Sequence, residues 1–308
     1  MVNKLKKVLF SKLTRMLLSL LLIYFAFRNA DLPQLYANLS SVSWQLIVVL
    51  ILLNVISMLI GGLRWAILVL GRVKFADILI FTKASFTGSF YALFFPSSVG
   101  GDLLKWTTLL TRYPQISKLK LAGTALIDRV IGFSAFSFLA FLSLILGKTF
   151  NYQFPDVLFW LFLGLNIALI VFYVLVFALD FEKIIFKHKF LSKLLEIVDL
   201  LKNSNKKRII ICFLISLLAQ PFWMMISYFM FRGLGVDLHL IQIFIFMPII
   251  SLILTLPISW AGFGARENLY VYFLAPLGYS VEKLLFVSTF SGVIGILVAL
   301  LGGLMLLF

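Results

Sequence analysis

Two stretches decide the fold. They are Leu93-Phe94-Phe95-Pro96-Ser97-Ser98-Val99-Gly100-Gly101-Asp102 and Leu254-Thr255-Leu256-Pro257-Ile258-Ser259-Trp260-Ala261-Gly262-Phe263-Gly264-Ala265-Arg266-Glu267. In each, an apolar run stops at a proline. A serine follows two residues later, then glycines, an acidic residue and a new apolar run. Proline removes a backbone donor and glycine weakens a helix, so both breaks leave polar backbone groups to be satisfied. In lipid such a break persists only where protein or a water-lined cavity satisfies it. Two breaks in corresponding halves of a membrane protein point to a transport site.

The composition around the breaks is that of an integral membrane protein. The chain is 62% hydrophobic, with a mean hydropathy of +1.10, well above a soluble domain. Apolar runs of roughly 20 residues recur, each long enough to span a bilayer core. A single cysteine, Cys212, excludes an internal disulfide. The first apolar run has no small-residue cleavage site, so it reads as a retained helix. The net charge of +15 does not indicate nucleic acid, because its distribution is asymmetric. Lysines and arginines gather in Met1–Arg15, Arg64–Lys74, Lys105–Lys120 and Lys183–Arg208 and are sparse elsewhere. The positive-inside rule produces that asymmetry, and such clusters also attract anionic lipid headgroups.

These signals predict one all-α domain over 1–308, a polytopic integral membrane helical bundle. Spans are expected at 13–27, 44–63, 121–146, 157–178, 209–231 and 284–308, with both termini cytoplasmic. The segments 78–110 and 240–277 are each too short on one limb to cross twice. They read as re-entrant broken-helix hairpins entering from opposite faces, and so suggest an inverted repeat. The stretch 180–208 has apolar residues at helical spacing. It is either an amphipathic helix on the inner surface or a connector packed on the bundle.

The candidate binding residues lie at the breaks and among the charges at membrane depth. A helix restarting after a break offers free N–H groups and a positive dipole end, which favour an anion such as phosphate. Ser98, Gly100, Gly101 and Asp102 mark the first restart; Ser259, Gly262, Gly264, Arg266 and Glu267 mark the second. Ser98, Asp102, Ser259 and Glu267 could equally cap those helices. Charges at a helix centre cost about 2.5–3.5 kcal/mol on insertion scales and usually have partners. Arg64, Lys105, Asp128 and Arg129 join the candidates on that ground, either as a buried ion-pair network or as guanidinium ligands for a phosphate. Asp128 and Arg129 are adjacent, so each should reach a different neighbour. No catalytic residue is expected: the sequence has no Gly-x-Ser-x-Gly, no Walker loop and no Cys cluster. Its two histidines, His188 and His239, fall in loops assigned to opposite sides, so no metal and no cofactor are expected.

A family resemblance rests on four motifs in order: Gly61-Gly62-Leu63-Arg64-Trp65, Phe94–Asp102, Leu126-Ile127-Asp128-Arg129-Val130-Ile131-Gly132, and Leu256–Glu267. Together they resemble the lysylphosphatidylglycerol synthetase transmembrane-region family, the flippase-like membrane proteins. Trp260-Ala261 departs from that pattern, in which a further glycine is frequent. The resemblance implies a bacterial or archaeal inner-membrane protein that handles membrane lipids, phosphate-bearing or polyprenyl-linked. The family's two-part synthetases carry a soluble aminoacyl-transfer domain after this region. Here the chain stops at Phe308, so lysyl transfer is not expected. The function expected is translocation of a lipid with an anionic or glycosylated headgroup. The alternatives are a non-translocating membrane enzyme or accessory subunit of lipid-linked glycan or lipid modification, and a scaffold that docks a lipid- or glycan-pathway enzyme on 180–208.

Overall fold

The computed structural model describes residues 24, 42–94, 101, 104–179, 189–256, 259 and 262–306, and for 189–194 the backbone only. Apart from Tyr24, the expected span 13–27 lies outside the described residues, as do Ser98, Gly100 and Asp102. The described helices are α1 (Trp44–Leu70), α2 (Phe75–Ala92), α3 (Lys118–Thr149), α4 (Asp156–Ala178), α5 (Lys189–Lys202), α6 (Lys206–Gly233), α7 (Leu240–Leu254), α8 (Ala265–Leu274) and α9 (Val281–Leu304). The described residues form no strand, and α1, α3, α4, α6 and α9 are long and apolar enough to cross a membrane.

Side-chain caps set where the long helices begin. Ser43, Ser117 and Ser280 accept from the backbone N–H of Leu46, Lys120 and Lys283, and Asn205 accepts from Lys207. Each cap satisfies a donor that the first helical turn leaves open. The Asn205 cap divides the expected 180–208 stretch, because 206–208 belong to α6. The remainder, α5, packs on the bundle: Leu201 is buried, and Leu200 lies against Gly123 of α3. Lys202 Nζ donates to Leu179 O at 2.9 Å, at the C-terminal end of α4.

The chain doubles back twice. Asp77 lies in the first turn of α2, and after the first break a short 3₁₀ turn, Lys105–Leu109, leads to Tyr113. The Tyr113 hydroxyl donates to Asp77 Oδ1 at 2.6 Å, tying the two ends of the first hairpin together. Gly101 makes the return possible, since a Cβ there would run into the backbone of Gly88 and Ala92. The second hairpin closes alike: the Tyr279 hydroxyl donates to Gln242 Oε1 at 2.8 Å, at the start of α7. Asp77 and Gln242 also cap their own helices by accepting from Lys74 and His239 N–H, each at 2.9 Å.

Proline inside α7 shows how the bundle satisfies its backbone. Pro248 has no N–H, so the Phe244 carbonyl loses its helical donor. Ser143 of α3 donates to that carbonyl at 2.8 Å, as burial in lipid requires.

The first hairpin's base gives a test outside the bundle core. The Tyr113 hydroxyl, then the Lys74 N–H, hold the Asp77 carboxyl below its ordinary range. A lowered folded value stabilises the protein above the ordinary carboxylate pKa, and that stability is lost as pH falls through the folded value. Tyr113→Phe should therefore cost about 1 kcal/mol at neutral pH, reduced by the solvent around Asp77. The loss should shrink toward zero on acidification below about pH 4. Thermal melts of both proteins across that range check it.

Candidate functional site

Asp128 is the electrostatic centre of the first half. It sits on α3 with 3% of its surface exposed. Arg64 Nε of α1 meets its Oδ1 at 2.6 Å, and Lys105 Nζ meets its Oδ2 at 3.1 Å. Arg64 Nη1 also donates to Ser216 Oγ of α6 at 2.9 Å, and Ser216 donates back to Cys212 O at 2.7 Å. Lys105 Nζ lies 4.5 Å from the centre of the Trp65 ring, a cation–π contact. Three elements, α1, α3 and the 3₁₀ turn, thus meet at one carboxylate, and α6 joins them through Arg64. Burying it needs both cations, because an isolated charge in this setting is very costly.

The second break builds a different arrangement. Gly262 and Gly264 have φ of +81° and +78°, which side chains with a Cβ rarely adopt. Gly264 caps α8, and Glu267, 1% exposed, accepts from Gly264 N–H at 2.6 Å. Asn268 Nδ2 donates to Gly264 O at 2.7 Å. Glu267 therefore does the helix-capping that the sequence allowed for it. Arg266 runs across Phe263, 5.7 Å from the ring centre, and reaches Ser288 O of α9 at 3.5 Å.

Two polar cavities open between these arrangements. The first, about 390 Å³, is lined by Arg64 with Ser57, Gly61 and Gln220. The second, about 310 Å³, is lined by Arg266 with Asn54, Ser227, Tyr270 and Ser291. Trp223, Ser251 and Thr255 line both, so the two chambers adjoin at α6 and the C-terminal end of α7.

The structure thus brings Arg64, Lys105 and Asp128 together and puts Arg64 and Arg266 on neighbouring cavities. Arg129, half-buried, is one residue along α3 from Asp128, about 100° further round the helix. Gly101 and Ser259 are buried. The sequence reading missed Asn54, Gln220, Trp223, Ser227, Ser251 and Ser291. Each is a lone polar or aromatic residue in an apolar run, where a serine bonding back to its own helix is the ordinary case. No group of three or more His, Cys, Asp or Glu among the described residues has the geometry to hold a metal.

Comparison with known proteins places this geometry in a family. The sequence model described as "Lysylphosphatidylglycerol synthase TM region" matches residues 12–303. No curated protein and no solved structure matches the chain. Since the match spans nearly the whole sequence, the chain belongs to that family.

Proposed function

We propose that this member of the lysylphosphatidylglycerol synthase transmembrane-region family binds a lipid with an anionic or glycosylated headgroup and moves that headgroup across the bilayer. The observation that carries the reading is the pair of adjoining cavities, each with one arginine and both lined by Trp223, Ser251 and Thr255. Guanidinium groups in a low-dielectric setting suit phosphate, and hydroxyl-rich walls suit glycerol or sugar. The surrounding helices expose large apolar side chains such as Trp160, Ile170 and Leu218, so lipid tails can remain in the membrane while the headgroup enters the cleft. In this reading the two hairpins enter a bacterial or archaeal inner membrane from opposite faces, and both termini are cytoplasmic.

The test measures retention and movement separately. Purified protein is analysed for co-purifying lipid by mass spectrometry, then assayed in phosphatidylcholine liposomes carrying headgroup-labelled phosphatidylglycerol. Arg266→Ala should slow movement about tenfold or more, the scale of one lost charge-assisted contact, with little change in melting temperature. Lipid retained without movement by the wild type would favour a non-translocating accessory subunit. Neither retention nor movement would overturn the reading.

A further inference from the structure

The second cavity is the counterpart of the Arg64–Asp128–Lys105 cluster in an internal repeat. The repeat is legible in the element order: a long helix capped at Ser43 or Asn205, a hairpin closed by Tyr113 or Tyr279, and a long helix capped at Ser117 or Ser280. The positions of the first cluster can be carried through this register. Arg64 lies 21 residues after the Ser43 cap, and the residue 21 after the Asn205 cap is Ile226, which adjoins Ser227. Asp128 is ten residues beyond the start of α3, and Ser291 ten beyond the start of α9. Lys105 is nine residues after Pro96, and Arg266 nine after Pro257. Ser216, which reaches the first cluster from α6, corresponds to Asn54 of α1, each being the eleventh residue of its helix.

All four counterparts, Asn54, Ile226, Arg266 and Ser291, and with them Ser227, line the one cavity of about 310 Å³. The exchange of α1 and α6 between the two sites is what a two-fold axis passing between these helices requires. A local detail repeats too: Asn54 Nδ2 donates to Leu50 O at 2.8 Å, four residues back, as Ser216 does to Cys212 O. The chemistry differs in one respect. A carboxylate fills the first site, whereas Ser291 puts a hydroxyl at that position and leaves open volume beside Arg266. Glu267, the next residue on α8, has its Oε2 committed to Gly264 N–H and does not line the cavity.

We propose that the cavity of Asn54, Ser227, Arg266 and Ser291 is the binding site for the phosphodiester anion of a lipid headgroup, which takes there the place that Asp128 takes in the first half. The proposal rests on the lipid-binding reading above and deepens it by naming the anion and its residues. The guanidinium supplies charge and two parallel donors. Ser227 and Ser291, the latter hydrogen-bonded to Tyr270, are neutral groups, which neither repel the ligand nor neutralise Arg266. A carboxylate at 291 would do both.

Ser291→Asp rebuilds the first half's carboxylate in the second, and Ser291→Asn is the uncharged control of the same shape. Retention of phosphatidylglycerol is measured in phosphatidylcholine nanodiscs doped with it. Ser291→Asp should weaken retention about tenfold or more, with an unchanged or raised melting temperature, and by clearly more than Ser291→Asn does. Equal retention by wild type and Ser291→Asp overturns this assignment and leaves the lipid reading standing. No retention by the wild type overturns both. Binding of inorganic phosphate without phosphatidylglycerol overturns the assignment to a lipid. Should Ser291→Asp fail to fold, Ser227→Asp places the carboxylate from the facing helix, and undiminished retention there overturns the proposal equally.

Discussion

Asp128→Ala is expected to destabilise the protein by about 3–5 kcal/mol, enough to abolish expression or lower the melting temperature sharply. The carboxylate is shared by Arg64 and Lys105 at 2.6 and 3.1 Å. Its loss leaves two cations facing each other, with side-chain exposures of only 18% and 7%. Arg64 borders the first cavity, which softens its share; Lys105 is the more deeply buried of the two. Lys105 also ties the return of the first hairpin to α3, so its repulsion from Arg64 would loosen the hairpin as a whole. Asp128→Asn, which keeps acceptor and shape but not charge, should fall between. Adding Lys105→Met to Asp128→Asn should recover part of the stability, because it removes one of the two positive charges that shared the lost carboxylate. Melting temperatures in detergent check the series. A wild-type value for Asp128→Ala would mean that the cluster does not hold the fold.

The contrast between the two halves explains what was legible in the sequence and what was not. Long helices were legible because hydropathy reports them directly: 157–178 and 209–231 were expected, and Asp156–Ala178 and Lys206–Gly233 are observed. Their ends extend further than the apolar runs because a polar cap, such as Asn205, starts the helix before the lipid-facing residues begin. The charges were legible as costly and partnered, and Arg64, Lys105 and Asp128 do converge. Their pairing was not legible. Asp128 and Arg64 are 64 residues apart, and only the packing of α1, α3 and α6 brings them together.

The walls of the second cavity gave no signal one residue at a time. Asn54 and Ser291 become conspicuous only when the two halves are set in register, with Ser43 on Asn205, Pro96 on Pro257 and Ser117 on Ser280. That register was within reach of the sequence, since the paired prolines and serines were visible. What hid it is a change of length within the hairpins. The first limb from Asp77 to Pro96 is longer than that from Gln242 to Pro257 by four residues, about one helical turn. The return limb compensates in the opposite sense, and a direct comparison of the two hairpins loses step.

Gly302→Ala should be the most damaging single-methyl change at the junction of the halves, at about 1–3 kcal/mol or more. Gly302 of α9 lies against α2, and a Cβ there would overlap the Phe86 carbonyl. The obstructing atom is backbone, so no rotamer change can admit the methyl; α2 and α9 must move apart. Small residues are what allow such close approach in lipid, where no hydrophobic force between helices offsets a poor fit. The same helix supplies the control. Gly295 has open space where its Cβ would be, and alanine is the better helix former by about 1 kcal/mol. Gly295→Ala should therefore leave the melting temperature unchanged or raised. Because Gly295 lines the second cavity, that variant should also narrow the space beside Arg266 and reduce lipid retention modestly while the fold persists. Gly302→Ala should do the reverse, lowering the melting temperature first and retention only as a consequence. If the two variants melt alike, the contact between α2 and α9 is not the tight joint that the Phe86 carbonyl indicates. The register that pairs the second cavity with the Asp128 cluster would be unaffected, because it runs through Ser291 and Arg266.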